Sequence, residues 1–434
     1  MKFTYKDSSQ ISEIEIVKTA SSLTAYIKHL QEITNDTQYS EPESSINLPT
    51  DKDLYEKVMA VKKEKDTDHI KYFIDIGIGG SNLGAKAVYD AFYGYYDLLQ
   101  PNRYPKGIFL DTVDEEVLVK LGTLIETIEN KSEILVNAIS KSGSTTETMA
   151  NLEVVLAFLK RKFGDVYDRV VVTTDEGSKF WQQAQEKGIA VLPIPKQVGG
   201  RYSVFSPVGL FPFHAFWFNA EALRAGATSM REQCLRENVE ENPAALSAAI
   251  LFLSFKNGKY INDNFYFLPQ LETMGKWYRQ LMGESIGKEH DTSGNTVHTG
   301  LTPTVSIGST DLHSVAQLYF GGPPNKITTF VWGENTKYEA QVATQTDFNL
   351  VPAIAGKPIH TIMRAIYEGV KTAYKNAKLP FMEVVLDKVD EQSLGEYMQF
   401  KMMEMMYLAK LLNVNAFDQP HVELYKIETK KLLK

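Results

Sequence analysis

The sequence has few of the features that mark secreted, membrane-bound or metal-rich proteins. Cys234 is the one cysteine among 434 residues, so neither an internal disulfide bond nor a multi-cysteine metal site can form. The most apolar stretch, residues 204–218, is interrupted by Pro207 and Pro212 and is too short to span a bilayer. The N-terminus has no basic region followed by an apolar one, which predicts no secretion signal. We therefore expect a cytoplasmic protein without a membrane partner.

Positively charged residues are also fewer than negatively charged ones. The chain has 46 Lys and Arg residues against 54 Asp and Glu residues, a formal net charge of −8 and a pI of about 5.6. Binding to nucleic acids or to membrane surfaces needs clustered positive charge, so we expect neither. A small anionic ligand remains compatible with this composition, because it responds to the charges of its own site. The 43% hydrophobic and 23% charged residues are typical of a globular protein, and the length favours two or three domains.

Short apolar runs alternate with helix-like segments from residue 71 onward. The runs lie at 72–76, 108–111, 134–137 and 170–174, then near Phe265 and at 304–307, 327–331 and 382–386. Strands that alternate with helices predict βαβ units and parallel sheets. The sequence therefore predicts an α/β fold with two similar domains, preceded by a helix over 14–32 and followed by one over 419–433. The predicted limits are an arm over 1–50, domains over 51–240 and 241–412, and a C-terminal helix over 413–434.

A glycine-rich segment follows the first predicted strand and precedes a helix. This glycine loop, residues 77–84, reads Gly-Ile-Gly-Gly-Ser-Asn-Leu-Gly. Its glycines allow close backbone approach, and the helix N-terminus offers N–H groups to an anion. The third glycine of a dinucleotide fingerprint would fall at Asn82, and Ala85 stands where a Walker A lysine would be needed. The loop therefore suits a phosphate group, and a tight turn without a ligand is the alternative.

A second loop, after the strand predicted at 134–137, is rich in hydroxyl groups. This hydroxyl loop, residues 140–148, reads Ser-Lys-Ser-Gly-Ser-Thr-Thr-Glu-Thr and precedes a helix. Hydroxyls and backbone N–H groups can bind phosphate oxygens, and Lys141 can add positive charge. The alternative is an ordinary helix cap, for which serine and threonine are also favoured. The number of hydroxyls exceeds what capping requires, which favours an anion site.

Four further segments carry side chains that suit proton transfer or charge stabilisation. Arg201 follows Gly200 in Gly-Gly-Arg-Tyr-Ser and suits the stabilisation of developing negative charge. Glu284, at the end of an apolar helix, suits a general base. His313 follows a predicted strand and can exchange protons near neutral pH, although a single histidine is as often structural. Lys426 lies in a C-terminal helix, where a lysine is usually only solvated.

A metal site is not expected from the remaining histidines. His290 and His298 flank Asp291, but their spacing matches no common ligand pattern and no cysteine assists them. We therefore predict no metal.

These segments, taken in order, resemble the motifs of the glucose-6-phosphate isomerase family. The correspondence includes both loops, G-G-R-Y-S at 199–203, G-E-S-x-G-K at 283–288, D-L-H at 311–313 and F-D-Q-P-x-V-E-x-Y-K at 417–426. Together they span residues 75–426, most of the chain. With Gly143 in the hydroxyl loop and a chain of modest length, the sequence resembles the bacterial branch of this family.

The resemblance implies two sugar-isomerase (SIS) domains, each a parallel sheet flanked by helices, in a homodimer. It also implies interconversion of glucose 6-phosphate and fructose 6-phosphate through a cis-enediol, a step of glycolysis and gluconeogenesis, with no cofactor. By position, the substrate-binding residues would be Gly80, Ser81, Ser140, Lys141, Ser142, Thr145, Gly200 and Gln419.

The resemblance assigns a catalytic role to four residues. Glu284 would move a proton between C1 and C2, and Arg201 would stabilise the enediolate. Lys426 and His313 would assist ring opening, with His313 reaching in from the neighbouring subunit.

Two departures and two alternatives accompany this interpretation. The polar stretch 291–298 is longer than the usual bacterial spacing and is expected to be a surface loop, and His421 stands where glycine is common. An enzyme that also isomerises mannose 6-phosphate is one alternative. A non-catalytic sugar-phosphate regulator is the other, but it would have no need of Glu284, His313 and Lys426.

Overall fold

The computed structural model describes residues 1–433, apart from the side chain of Tyr95. The backbone contacts divide the chain into two compact units. The N-half unit is Lys28–Arg231 together with the chain from Phe417 onward, and the C-half unit is Met1–Ile27 together with Glu232–Ala416. These limits differ from the domain limits proposed from the sequence, because the first strand pairs with the last one and the C-terminal segment joins the N-half unit.

Twelve strands are present in the described part of the chain. They are β1 Lys2–Thr4, β2 Tyr72–Ile76, β3 Lys106–Leu110, β4 Ile134–Ile139, β5 Val170–Asp175, β6 Ala190–Ile194, β7 Ile261–Tyr266, β8 Lys288–His290, β9 Thr296–Thr299, β10 Thr302–Ile307, β11 Lys326–Asn335 and β12 Phe381–Lys388. Every strand that the apolar runs predicted is among them.

Fifteen α-helices accompany the strands over the same residues. They are α1 Glu13–Ser21, α2 Thr24–Ile33, α3 Lys52–Lys65, α4 Leu83–Phe92, α5 Glu115–Thr127, α6 Thr146–Phe163, α7 Lys179–Glu186, α8 Pro207–Ala215, α9 Ala220–Cys234, α10 Pro243–Lys256, α11 Glu272–Ile286, α12 Ala316–Gly321, α13 Ile359–Asn376, α14 Glu391–Leu411 and α15 Glu423–Leu432. None of the described helices combines the length and the apolar composition needed to cross a membrane.

The sheet of the N-half unit is entirely parallel, in the order β3-β2-β4-β5-β6. Its core is formed by Ile74, Val136 and Val172 on the strands with residues such as Leu121 and Leu156 on α5 and α6. Strand β3 pairs with one edge of β2, and the next strand in the chain, β4, pairs with the opposite edge of β2. The direction of winding therefore reverses between β2 and β4, which is the point where ligands bind in open sheets of this kind.

The sheet of the C-half unit repeats this arrangement. Its order is β1-β12-β11-β7-β10, and all pairs are parallel except the antiparallel pair of β1 and β12. An aromatic core including Phe265, Phe330 and Tyr367 covers one face. The chain goes from β7 to β10 and then to β11 on the opposite side of β7. The predicted α/β fold with parallel sheets flanked by helices is thereby confirmed.

The prediction of a single helix over residues 14–32 was wrong, because two helices, α1 and α2, occupy this range. Helix α1 ends at Ser21, where the hydroxyls of Ser21 and Ser22 donate to the carbonyls of Val17 and Thr19 at 2.7 and 2.6 Å. Side chains that bond to the preceding turn compete with continuation of a helix. The 291–298 stretch lies at the surface as expected, and it connects β8 to β9 and forms part of β9.

Candidate active site

The glycine loop and the hydroxyl loop follow β2 and β4, the neighbouring strands at which the N-half sheet reverses its winding. A Cβ atom built on Gly77 would lie 3.4 Å from the Cβ of Ile139, the last residue of β4. The two predicted phosphate-binding loops therefore lie side by side at the carboxyl edge of the sheet. This is the position in which open α/β sheets bind ligands.

Gly80 of the glycine loop is in close backbone contact with the Gly-Gly-Arg segment. A Cβ on Gly80 would lie 2.6 Å from the Arg201 nitrogen, and closer still to the carbonyl of Gly200. The Ser203 hydroxyl donates to the Gly200 carbonyl at 2.7 Å and lies 3.4 Å from the Gly80 oxygen. No side chain fits at position 80, and this contact holds Arg201 beside the glycine loop.

The hydroxyl loop is held by hydrogen bonds between its own side chains. The hydroxyls of Ser140 and Thr145 are 3.0 Å apart, and those of Ser142 and Ser144 are 3.1 Å apart. Thr145 occupies the N-cap position of α6, yet its hydroxyl pairs with Ser140 instead of capping the helix. The first-turn N–H groups of α6 therefore point to the loop without a capping side chain, which favours an anion site over an ordinary cap.

Lys141 adds a positive charge at this edge. Its ammonium group donates to the carbonyl oxygen of Lys196 at 2.6 Å. Burial lowers the pKa of Lys141, and the Asp175 carboxylate at the end of β5 partly counteracts this. Burial likewise raises the pKa of Asp175, with Lys141 and Lys196 acting in the opposite direction. The three charges form one electrostatic group beside the hydroxyl loop.

Arg201 is buried and fixed by residues from the C-terminal segment. Its guanidinium donates to the Gln419 side-chain oxygen and to the Asp418 carbonyl, the latter at 3.1 Å. The Tyr202 and Phe417 rings pack beside this contact with their centroids 5.3 Å apart. Two predicted site residues that are 218 positions apart in the sequence thus meet directly.

Lys426 is placed differently from the other predicted residues of the N-half unit. It lies on α15, none of whose residues is buried, and its ammonium pairs with Glu423 at 2.6 Å. The side chain is 39% exposed. The structure therefore brings Gln419 to Arg201, whereas Lys426 pairs with its own helix.

Glu284 belongs to the C-half unit and lies in the last turn of α11. It is half-buried, and the Gln280 side-chain amide donates to its Oε1 atom at 3.1 Å. Gln280 was not predicted from the sequence. Its separation of four residues from Glu284 on a helix is the signal that could have identified it, since such residues are neighbours on the helix surface.

His313 is exposed and lies beyond the carboxyl end of β10. Asp311 shapes its loop by accepting from the Ile307 nitrogen at 2.7 Å and from the Ser314 hydroxyl at 2.6 Å. The backbone nitrogen of His313 itself donates to the Thr310 carbonyl at 3.0 Å.

Within the C-half unit, Glu284 and His313 lie at opposite ends of β10. A Cβ on Gly275, near the start of α11, would contact Val305 at 2.5 Å, whereas Gly287, just after α11, lies beside Gly300 before β10 begins. Helix α11 thus runs back along the sheet, and β10 separates Glu284 from His313 by about 20 Å. One C-half unit does not bring these two residues together.

No group of three or more His, Cys, Asp or Glu side chains in the described chain has a geometry that could hold a metal ion. His290 and His298 are both exposed on the β8–β9 hairpin.

Comparisons with known proteins identify the family of the chain. The family model for phosphoglucose isomerase matches residues 23–434. The chain belongs to this family. The resemblance that the motifs predicted is thereby confirmed.

Relatives in this family cover most of the chain. A glucose-6-phosphate isomerase of Carboxydothermus hydrogenoformans is 36% identical over 84% of this chain and 79% of its own length. One from Lacticaseibacillus casei is 31% identical over 98% of this chain and 95% of its own. Among solved structures, a hypothetical protein of Thermus thermophilus covers both chains fully with a TM-score of 0.86 and 29% identity. A glucose-6-phosphate isomerase of Chlamydia trachomatis, 18% identical, shows the same fold with a TM-score of 0.80 over 99% of this chain and 88% of that one.

Proposed function

We propose that this phosphoglucose isomerase family member interconverts glucose 6-phosphate and fructose 6-phosphate in the cytoplasm, as a step of glycolysis and gluconeogenesis. The observation that carries the proposal is the junction of Gly80 with Gly200 and Arg201, next to the hydroxyl loop, at the reversal point of the N-half sheet. This junction supports the proposal, because it brings the loops suited to phosphate and the Arg201 guanidinium to one edge of one sheet. We also retain the two sugar-isomerase domains as part of the proposal, with the predicted boundary near residue 240; only the assignment of the terminal segments differs.

The phosphate group of the substrate is bound by the two loops. Ser81, Ser140, Ser142 and Thr145 supply hydroxyls, and Lys141 supplies charge. The uncapped N-terminus of α6 adds backbone N–H groups and the positive end of the helix dipole. The contact of Gly80 with Gly200 supports this role, because it fixes the glycine loop beside the Gly-Gly-Arg segment.

Arg201 stabilises the negative charge that develops on the enediolate. Its bonds to Gln419 and to the Asp418 carbonyl fix the guanidinium before substrate arrives. A charge that is already oriented needs no reorganisation during the reaction and is therefore effective. Gln419 also lines the substrate pocket in this proposal.

Glu284 takes the proton from one carbon of the C1–C2 pair and returns it to the other, so that a cis-enediol forms between the two steps. An aldose–ketose shift needs one base that can both accept and return a proton. The hydrogen bond from Gln280 supports the role of Glu284, because it orients the carboxylate.

Lys426 and His313 transfer protons to and from the ring oxygen and the anomeric hydroxyl during ring opening. On substrate binding, the Lys426 ammonium would leave its ion pair with Glu423 and contact the sugar instead. The separation of about 20 Å between Glu284 and His313 along β10 supports a homodimer in which His313 serves the neighbouring subunit's site.

The test is conversion of fructose 6-phosphate to glucose 6-phosphate by the purified protein, coupled to a dehydrogenase, with and without a chelator. Wild-type protein should turn over in both conditions. Glu284→Gln should lower kcat by about 100-fold or more, because it removes the base. Glu272→Gln, on the same helix but paired with Lys276 at the surface, should retain the wild-type rate.

Failure of folded protein to turn over either sugar phosphate would contradict the proposal, and so would a fully active Glu284→Gln variant. Mannose 6-phosphate, tested in the same assay, decides between a specific and a dual-specificity enzyme.

A further inference from the structure

The core of the C-half unit contains an ion pair that is entirely buried. The Lys401 ammonium lies 3.0 and 3.2 Å from the two carboxylate oxygens of Glu404, and both side chains have no exposed surface. They lie in the middle of α14, a helix that is buried on all sides over most of its length. Neither residue belongs to the proposed reaction, so their presence in this core requires another explanation.

The Glu404 carboxylate connects three helices. The Ser247 hydroxyl of α10 donates to Oε1 at 2.5 Å, and the Tyr278 hydroxyl of α11 donates to Oε2 at 2.6 Å. The Lys401 ammonium also lies 4.5 Å from the centre of the Tyr278 ring, which adds a cation–π contact to α11. We call Ser247, Tyr278, Lys401 and Glu404 the buried clamp.

Stability alone does not account for the buried clamp. Two charges lose their hydration on burial, and a well-packed apolar pair in the same place is often equally stable or more stable. Unlike an apolar contact, the clamp is directional, because each hydrogen bond joins one carboxylate oxygen to one hydroxyl group. The clamp therefore specifies how α10, α11 and α14 are rotated relative to one another.

Helix α11 is the element for which this rotation has chemical consequences. Its other core-facing residues include Leu281 and Met282, whose apolar contacts are non-directional and tolerate small rotations. The same helix carries Gln280 and Glu284, joined by a hydrogen bond of 3.1 Å. An α-helix is stiff over two turns, so a rotation at Tyr278 is transmitted to Glu284.

We propose that Tyr278 is a positioning residue for Glu284, acting through its hydrogen bond to Glu404 within the buried clamp. The inference rests on the proposed role of Glu284 as the base. It assigns no direct contact with substrate to any member of the clamp.

Two matched variants test this inference. Tyr278→Phe and Ser247→Ala each remove one hydroxyl from the same carboxylate, but only the first releases α11. Tyr278→Phe should lower kcat about tenfold, since small misplacements of a catalytic group are costly. It should leave KM unchanged, because the phosphate-binding residues lie in the N-half unit. Ser247→Ala should leave kcat within about twofold of wild type, as its bond holds α10. Equal kcat values in the two variants, whether high or low, would overturn the inference.

Replacement of the charged pair separates positioning from stability. In the double variant Lys401→Met with Glu404→Leu, the thermal midpoint should stay close to that of the wild type, because the gain from removing two buried charges offsets the lost hydrogen bonds of Ser247 and Tyr278. Its kcat should fall to that of Tyr278→Phe, because Tyr278 has lost its acceptor. A stable double variant with wild-type kcat would contradict the inference.

A measurement that does not depend on turnover completes the test. Amide hydrogen exchange over residues 281–286 should be faster in Tyr278→Phe than in wild type or Ser247→Ala, because the last turn of α11 is less restrained. Unchanged exchange in Tyr278→Phe would overturn the inference. If wild-type protein lacked isomerase activity, the proposed function would fail, while the exchange comparison would still decide whether the clamp restrains α11.

Discussion

The Lys141 ammonium is subject to two effects of opposite sign. Burial lowers its pKa, and the Asp175 carboxylate raises it. Removal of that carboxylate in Asp175→Asn should lower the Lys141 pKa further, so that the lysine loses its proton at a lower pH. We expect KM for fructose 6-phosphate to begin its alkaline rise at lower pH in this variant, which a KM–pH profile would measure.

Asp168→Asn is the matched control for that experiment. It removes the same charge from a surface carboxylate that pairs with Lys131 and should leave the profile at its wild-type position. An unchanged profile in Asp175→Asn would mean that Lys141 does not contribute its charge to phosphate binding.

The site residues differ in how far the sequence could reveal them. The two loops were predictable because their small and hydroxyl residues follow buried strands within a few positions. The contact of Arg201 with Gln419 was predictable only through the family resemblance, because 218 residues separate them and no local pattern encodes their meeting. Tyr278 and Glu404 were not predicted, since single polar residues within apolar helices carry no signal of their partners.

Helices α6 and α7 both have a hydroxyl residue at the N-cap position, but only the one at α7 caps its helix. Ser178 caps α7 by accepting from the Trp181 nitrogen at 3.1 Å, whereas Thr145 at the start of α6 pairs with Ser140. Ser178→Ala should therefore lower the free energy of unfolding by about 1 kcal/mol and leave KM unchanged. Thr145→Ala should raise KM by about tenfold through the loss of a phosphate contact and cost less stability.

Urea denaturation and steady-state kinetics on both variants would check this contrast. A Thr145→Ala variant that loses stability without any change in KM would show that this hydroxyl serves the fold instead of the ligand.

The strands were predicted where they form largely apolar runs without proline, and were missed or recognised only in part elsewhere. Strand β6 contains Pro193, which an edge strand tolerates but which weakens a strand pattern. Strand β7 was recognised only near Phe265, because the polar residues 262–264 precede its aromatic end. The buried Asp263 accepts there from the hydroxyls of Thr304, Ser306 and Tyr319 at 2.6 to 3.0 Å. Partners on neighbouring elements compensate the burial of such residues, and the local sequence does not show them.

At the scale of the whole molecule, the proposed homodimer, in which His313 serves the neighbouring subunit's site, predicts complementation between chains. Glu284→Gln and His313→Ala should each have low activity by themselves. In a mixed dimer, one site combines the intact Glu284 of one chain with the intact His313 of the other. Equal amounts of the two variants, unfolded and refolded together, should therefore recover about a quarter of the wild-type activity if dimers form at random.

The control for this experiment is each variant refolded by itself, which should recover no activity beyond its own. Absence of recovery in the mixture, with dimers verified by sedimentation, would contradict the exchange of His313 between subunits.

The pairing of β1 with β12 has a consequence for the folding of the chain. Lys2 lies opposite Val385, and the N-half unit likewise incorporates residues from Phe417 onward. The outer pair of the C-half sheet thus joins segments separated by most of the chain, whereas all five strands of the N-half sheet lie within residues 72–194. Long-range pairings of this kind slow folding and leave strand edges exposed for longer. The N-half sheet can therefore form before the C-half sheet, and the edge of β12 stays open to aggregation until β1 pairs with it.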